Sequence, residues 1–190
     1  MKTLIYSLLS SVLFLTACNT NPQHQQVSSS DTSTVTKTDI KATQTAGSPI
    51  SGIVSTYLEL KDALTKDNDK GAALSGKALE TAFMNVDPAS LTSEKVKIYN
   101  DIADDAKEHA EHIGANAGNI KHQREHFETL SQDIYELIKA FGAGQKLYVD
   151  HCPMYNNNKG ANWVSQSKEI SNPYLGQSMA SCGTVKEEIN

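Results

Sequence analysis

Apolar residues recur at helical spacing in four segments between residues 49 and 144, with short polar or Gly-containing breaks between them. Ser48 followed by Pro49 is a typical helix start, and the later segments also begin near good capping residues. The pattern predicts an all-α fold, an up-and-down four-helix bundle over residues 49–144. The expected apolar stripes are, in order, Ile53, Tyr57, Leu60 and Leu64; Ala73, Leu74, Ala78, Leu79, Ala82 and Phe83; Tyr99, Ile102, Ala103, Ala106, Ala110, Ile113 and Ala117; and Ile120, Phe127, Leu130, Ile134, Leu137, Ile138 and Phe141.

The pattern changes where the fourth stripe ends. The segment LYVDHC (147–152) alternates like a strand, and ANWVS (161–165) follows a turn as a second extended piece. We expect residues 145–190 to form a small strap of strands and loops on the bundle, with Trp163 and Tyr174 packing it in place. Because this strap contains few core residues, a covalent or metal staple is also expected.

The first residues have the pattern of an export signal. Lys2 precedes an apolar run, LIYSLLSSVLFLT, that is too short to span a bilayer, and the run ends in LTAC. Bacterial lipoproteins are cleaved at this pattern before an acylated cysteine, here Cys18. We expect residues 1–17 to be a lipoprotein signal peptide and residues 18–48 to be the lipidated cysteine with a disordered polar tether. The sequence therefore predicts a protein of the bacterial cell envelope that is lipid-anchored to a membrane and faces the periplasm.

Charge narrows the choice of partners. The chain has 17 Lys and Arg against 22 Asp and Glu, a formal net charge of −5, and no basic cluster. Because nucleic-acid binding requires a basic patch, no nucleic-acid partner is expected.

The strap carries four sulfur donors as two short pairs, Cys152, Met154, Met179 and Cys182. Thiolate and thioether are soft donors that favour copper(I), and the close spacing lets each pair aim at one point. A disulfide is the alternative, since it would stabilise the fold by roughly 3 to 4 kcal/mol, but it leaves both methionines unexplained. Unpaired structural cysteines are a third possibility. His151 ranks below the sulfurs as a ligand, because neighbouring residues of a strand point to opposite faces.

Four further histidines fall in one window at the end of the third predicted helix and the start of the fourth. His109 and His112 share one face of the third helix, and His122 and His126 share one face of the fourth. In an antiparallel hairpin, His109 comes level with His126. We expect this pair to face each other near the core, with His112 and His122 further out; a solvated polar face is the alternative. The carboxylates expected to support the histidines are Glu108, Glu111 and Glu125.

The imidazoles suit zinc(II) or copper(II). The segment HQREH (122–126) also matches the inverted zinc-peptidase pattern, but it lacks an evident third ligand and a cleft. We therefore expect no enzyme activity.

Several motifs resemble the bacterial domain-of-unknown-function 3347 family over roughly residues 50–190. That family occurs as lipoproteins and as domains fused to periplasmic subunits of copper-exporting heavy-metal efflux systems. The resemblance implies metal ligands at Cys152, Met154, Met179 and Cys182, with the central histidines as further candidates. Asn162 departs from the aromatic residue that is common in the family. The resemblance is carried by the helical segment HQREHFETLSQDIYELIKAF (122–141) together with the tail. The most specific elements of the tail are Cys152-Pro153-Met154, Gly160-Ala161 with Trp163, Glu169-Ile170, Asn172-Pro173-Tyr174 with Gly176, and Met179 through Cys182-Gly183.

These observations predict a periplasm-facing lipoprotein that binds a soft or borderline metal ion. Copper is the expected ion, with zinc or no metal as alternatives, and the role is buffering or delivery to an efflux system. The rival interpretation is a metal-free, disulfide-stapled adaptor protein of an envelope complex.

Overall fold

The computed structural model describes residues 47–190, and Cys18, the predicted signal peptide and nearly all of the tether lie outside the described residues. This part of the chain is mostly helical and ends in a small antiparallel sheet. None of its helices is long and apolar enough to cross a membrane. The long helices are α1 (Ser51–Thr65), α2 (Asp69–Met84), α3 (Ser93–Ala115) and α4 (Ile120–Phe141), and the strands are β1 (Leu147–Cys152), β2 (Ala161–Ser165) and β3 (Thr184–Ile189).

Each long helix packs mainly against the next one in the chain, and α4 also packs against β2. Side-chain caps begin three of the helices: Asn68 caps α2, Thr92 caps α3 and Asn119 caps α4 by accepting a backbone N–H. The predicted helical segments are thus confirmed, and the caps explain why α2, α3 and α4 begin where they do.

The buried face of α2 differs from the predicted one. Leu74 was expected in the apolar stripe, but it is 70% exposed, while Gly76 is buried. A Cβ atom at Gly76 would lie 2.8 Å from the carbonyl oxygen of Ala110, and one at Gly114 would lie 2.8 Å from Lys77 Cγ. Two glycines therefore let α2 and α3 approach closely. A pattern of apolar residues could not reveal this contact, because glycine carries no hydrophobic signal.

The strap is a three-stranded antiparallel sheet with strand order β2-β1-β3. The first two strands lie where the alternation predicted them. The third strand was missed because TVKEEI is mostly polar and buries only Ile189 among its six residues. Sheet pairing with β1, including a register shift between Val149 and Asp150, holds β3 in place.

Aromatic side chains join the strap to the helices. Tyr57 stacks on Phe127 at 5.3 Å, and Tyr174 contacts both Phe127 and the buried Trp163. The Tyr57 hydroxyl also accepts the backbone N–H of Val164 at 3.1 Å, so a helix residue binds β2 directly. The packing roles predicted for Trp163 and Tyr174 are confirmed.

Asp150 is fully buried beneath the sheet, and neither carboxylate oxygen has a hydrogen-bond partner within residues 47–190. Burial raises the pKa of Asp150 to about 6, although the positive charge of Lys61 opposes this shift. The folded-state pKa exceeds the unfolded value, so the stability that this carboxyl contributes is present at low pH and is lost as pH rises through about 6.

We predict that Asp150→Asn stabilises the protein relative to wild type more at pH 7.5 than at pH 4.5. The difference between the two pH values should be about 2 kcal/mol, because each pKa unit corresponds to about 1.4 kcal/mol and part of the shift is already titrated at pH 4.5. Urea unfolding at the two pH values measures it. The matched control is Asp101→Asn at an exposed surface pair with Lys97, which should change stability by less than about 0.5 kcal/mol. A pH-independent effect of Asp150→Asn would contradict the account.

Candidate metal centre

Four imidazole rings meet along the contact between α3 and α4, which we call the α3–α4 seam. Nδ1 of His109 lies 2.9 Å from Nδ1 of His126. His112 stacks on His126 with ring centroids 4.3 Å apart, and His122 meets the same ring edge-on at 4.6 Å. Ligand nitrogens of His112, His122 and His126 all lie within 4.8 Å of one another. His126 is therefore the central residue of the group.

The short connection between α3 and α4 sets this register. Gln123 is fully buried, and its Nε2 donates to the carbonyl oxygens of Ile113 at 3.2 Å and Asp69 at 2.9 Å. The backbone N–H of Gly118, which has φ of +89°, donates to the carboxylate of Asp69 at 2.6 Å. These bonds tie the first turn of α4 to the end of α3 and the start of α2, so the histidines cannot slide past each other.

The predicted pairing of His109 with His126 is confirmed in geometry. His112 and His122 lie further out, as expected, but both also contact the ring of His126. Their side chains are 45% and 36% exposed, against 18% for His109. His122 reaches His126 along α4, where the two residues lie four positions apart, whereas His112 reaches it across the seam.

The surroundings of His126 favour the neutral form of its imidazole over the protonated form. Partial burial lowers the pKa of His126, and the neighbouring imidazoles His112, His122 and His109 lower it further. A neutral imidazole offers one nitrogen lone pair, which is the form that binds metal.

Carboxylates border three of the rings. Glu125 Oε2 lies 3.3 Å from Nδ1 of His122, and Glu108 Oε1 lies 3.9 Å from Nε2 of His112. Two of the three predicted supporting glutamates thus lie near a histidine, and Asp105, 3.8 Å from His109, supplies the third contact. Such carboxylates orient metal-binding imidazoles.

The two cysteines of the strap also meet. Cys152 Sγ lies 3.4 Å from Cys182 Sγ, and both residues are free thiols. Burial alone would raise the pKa of Cys152, but hydrogen bonds from the Met154 backbone, the Cys182 thiol and the Asn172 side chain together lower it. The pKa of Cys182 is raised by its hydrogen bond to Cys152.

The remaining strap candidates differ in exposure from the thiols. Met154 and Met179 are 49% and 41% exposed, so neither thioether is buried in the core. His151 lies on the opposite face of β1 from the buried Cys152, and its Nδ1 is 2.8 Å from Oδ1 of Asn162. Within residues 47–190, no group of three His, Cys, Asp or Glu donors includes either thiol.

Sequence reasoning missed a second donor group on the same seam. Asp105, His109 and Asp133 each present a ligand atom within 4.8 Å of the others. Burial raises the pKa of Asp133 to about 7, and the charges of Asp105 and Glu136 add to the shift. The sequence spacing between Asp133 and His126 could have indicated this group, because residues seven positions apart occupy the same face of a helix.

The family described as "Protein of unknown function (DUF3347)" matches residues 53–146. The predicted family is thus found over residues 53–146, and the match covers the four clustered histidines. It ends before the strap, so the sulfur residues inferred from the resemblance lie outside the matched range. No curated protein and no solved structure matched the chain.

We predict that mild oxidation joins Cys152 to Cys182, because their sulfurs are already in contact. In a Cys18→Ser background, closing this 30-residue separation should raise the free energy of unfolding by roughly 3 to 4 kcal/mol. Thiol alkylation with mass spectrometry detects the bond, and urea unfolding measures its effect. Adding Cys182→Ser supplies the control, which should not respond to oxidant. Thiols that resist oxidation, or a bond that destabilises the fold, would contradict the prediction.

Proposed function

We propose that this protein is a copper-binding lipoprotein of the bacterial cell envelope. Its four long helices form an up-and-down bundle, and the histidines of the α3–α4 seam bind the ion, with zinc as the alternative metal. The observation that carries the proposal is the convergence of four imidazoles on one seam, three of them with ligand nitrogens within 4.8 Å of one another.

The distance between Nδ1 of His109 and Nδ1 of His126 fits a hydrogen bond, and it also fits two nitrogens that bind the same metal ion. Metal–nitrogen bonds of about 2.0–2.1 Å bring adjacent ligands of a square-planar ion to about 2.9 Å from each other. The Nδ1 atoms of these two residues are separated by 2.9 Å. His112 is the most exposed ring of the group, so it can turn from its stacked position toward the same ion. Among divalent ions, copper binds such ligands most tightly.

The sulfur residues supply a second, softer donor set. The Cys152 thiol has a lowered pKa, and Met154 and Met179, which are close to the two cysteines in the sequence, are exposed residues. Thiolate and thioether prefer copper(I). Two donor sets of different softness suit a protein that buffers copper in either oxidation state or hands it to a heavy-metal efflux system. No catalysis is part of this role.

His126→Ala should weaken copper(II) binding at least tenfold, because it removes the central imidazole of the group. Isothermal titration measures the affinity, and electron paramagnetic resonance reports nitrogen ligation of the ion. His151→Ala is the matched control, since it removes an imidazole on the sheet that lies apart from the seam. Equal affinities for His126→Ala and wild type, or wild-type binding weaker than about micromolar, would contradict the proposal.

The envelope location rests on the signal pattern that ends at Cys18. Cys18→Ala should move the protein from the membrane fraction to the soluble fraction, because the acyl chains would be its only anchor. Fractionation of cells that express each form measures this. Continued membrane retention of the variant would refute lipidation.

The contact between Cys152 and Cys182 favours a second candidate, a metal-free adaptor stapled by a disulfide. The two functions differ in measurable ways. Protein isolated from the periplasm with both cysteines bridged, and without copper or zinc affinity at the seam, would support the adaptor.

A further inference from the structure

The carboxylate end of the α3–α4 seam forms a second group of donors. Asp105 lies on α3, one helical turn from His109, and Asp133 lies across the seam on α4. Oxygen atoms of both residues and a ring nitrogen of His109 lie within 4.8 Å of one another. Nε2 of His109 faces Asp105, with 3.8 Å between this nitrogen and Oδ1. These three residues present two carboxylates and one imidazole to one point.

Asp133 supplies an independent reason to expect a ligand here. Its Oδ2 is buried and has no hydrogen-bond partner in the part of the chain that the structure describes. No lysine or arginine of residues 47–190 forms a salt bridge with it, and the negative charges of Asp105 and Glu136 act against a charge on it. A buried carboxylate oxygen without a donor is costly to leave unpaired. A bound cation would supply the missing partner.

We propose that Asp105, His109 and Asp133 form a second cation site, distinct from the imidazole group centred on His126. Two carboxylates and one imidazole suit a harder divalent ion than copper, of the class of manganese(II). The site is assigned from these three residues alone, whereas its competition with the copper site rests on the proposed function.

His109 belongs to both sites, and its two ring nitrogens point in different directions. Nδ1 faces His126 at 2.9 Å, while Nε2 faces Asp105. A neutral imidazole carries one N–H and one lone pair. For Nε2 of His109 to bind an ion beside the carboxylates, its Nδ1 must carry the proton and donate it to His126. That hydrogen bond occupies the Nδ1 lone pair of His126 and leaves the proton of His126 on Nε2.

Copper binding by His126 requires the opposite placement of the protons on these two rings. When His126 binds copper through Nε2, its Nδ1 donates to His109, and Nε2 of His109 carries a proton directed at Asp105. If both Nδ1 atoms bind copper instead, Nε2 of His109 again carries the proton. Copper at the imidazole group therefore removes one ligand from the carboxylate site in each case. The two sites should compete, and the antagonism must be equal in both directions.

Manganese(II) titration of the full chain, followed by the paramagnetic resonance signal of the free ion, tests the site. Wild type should bind one manganese(II), and Asp133→Asn should weaken this binding at least tenfold. Asp104→Asn is the matched control, because it removes an exposed carboxylate on α3 that pairs with Lys107. Asp133→Asn should fold at least as well as wild type, since it removes a carboxylate whose Oδ2 is buried and has no hydrogen-bond partner among the described residues, and thermal unfolding verifies this.

His122→Ala separates this inference from the proposed copper site. His122 belongs to the imidazole group only, so its loss should weaken copper(II) binding and leave manganese(II) binding unchanged. One equivalent of copper(II) should release bound manganese(II) from wild type. Manganese(II) binding that is absent in wild type, or unchanged by Asp133→Asn, would overturn the second site. Simultaneous binding of both ions at full affinity would overturn the competition.

Discussion

The register between α3 and α4 is the constraint on which the candidate chemistry depends, since each helix supplies part of both donor groups. Buried hydrogen bonds fix that register: Gln123 binds carbonyl oxygens of Ile113 and Asp69, and Gly118 binds the Asp69 carboxylate. A slip of one residue along either helix would turn its donors by about 100° away from the seam. The residues that make these hydrogen bonds at the hairpin therefore position the metal-binding side chains, although they are not metal ligands themselves.

The strap depends on the same helix. α4 presents His126 to one neighbour, and on another face it presents Phe127 and Ser131 to the aromatic cluster around Tyr57. Tyr57 in turn binds the backbone of β2. The sulfur pair on the strap and the histidines on the seam are thus held by one rigid helix, although they use different faces of it.

The sequence allowed the helices and the facing of His109 and His126 to be predicted, because helical spacing and a short hairpin leave few alternatives. It did not reveal the burial of Gly76, the strand formed by TVKEEI or the participation of Asp133. Each of these depends on what lies opposite in space: the backbone of α3, the pairing edge of β1 and the ring of His109. The approach of Cys152 to Cys182 was predicted only in part, since the expected export of the protein allowed a disulfide but did not distinguish it from a metal site.

The most direct test of the central claim is the position of copper in the folded protein. An anomalous difference map from crystals of the copper(II)-loaded protein would locate the ion independently of any variant. The account predicts a peak on the α3–α4 seam, about 2.0–2.1 Å from a ring nitrogen of His126 and of at least one neighbouring histidine. A map with no peak at the seam, or with copper confined to surface carboxylates, would contradict it.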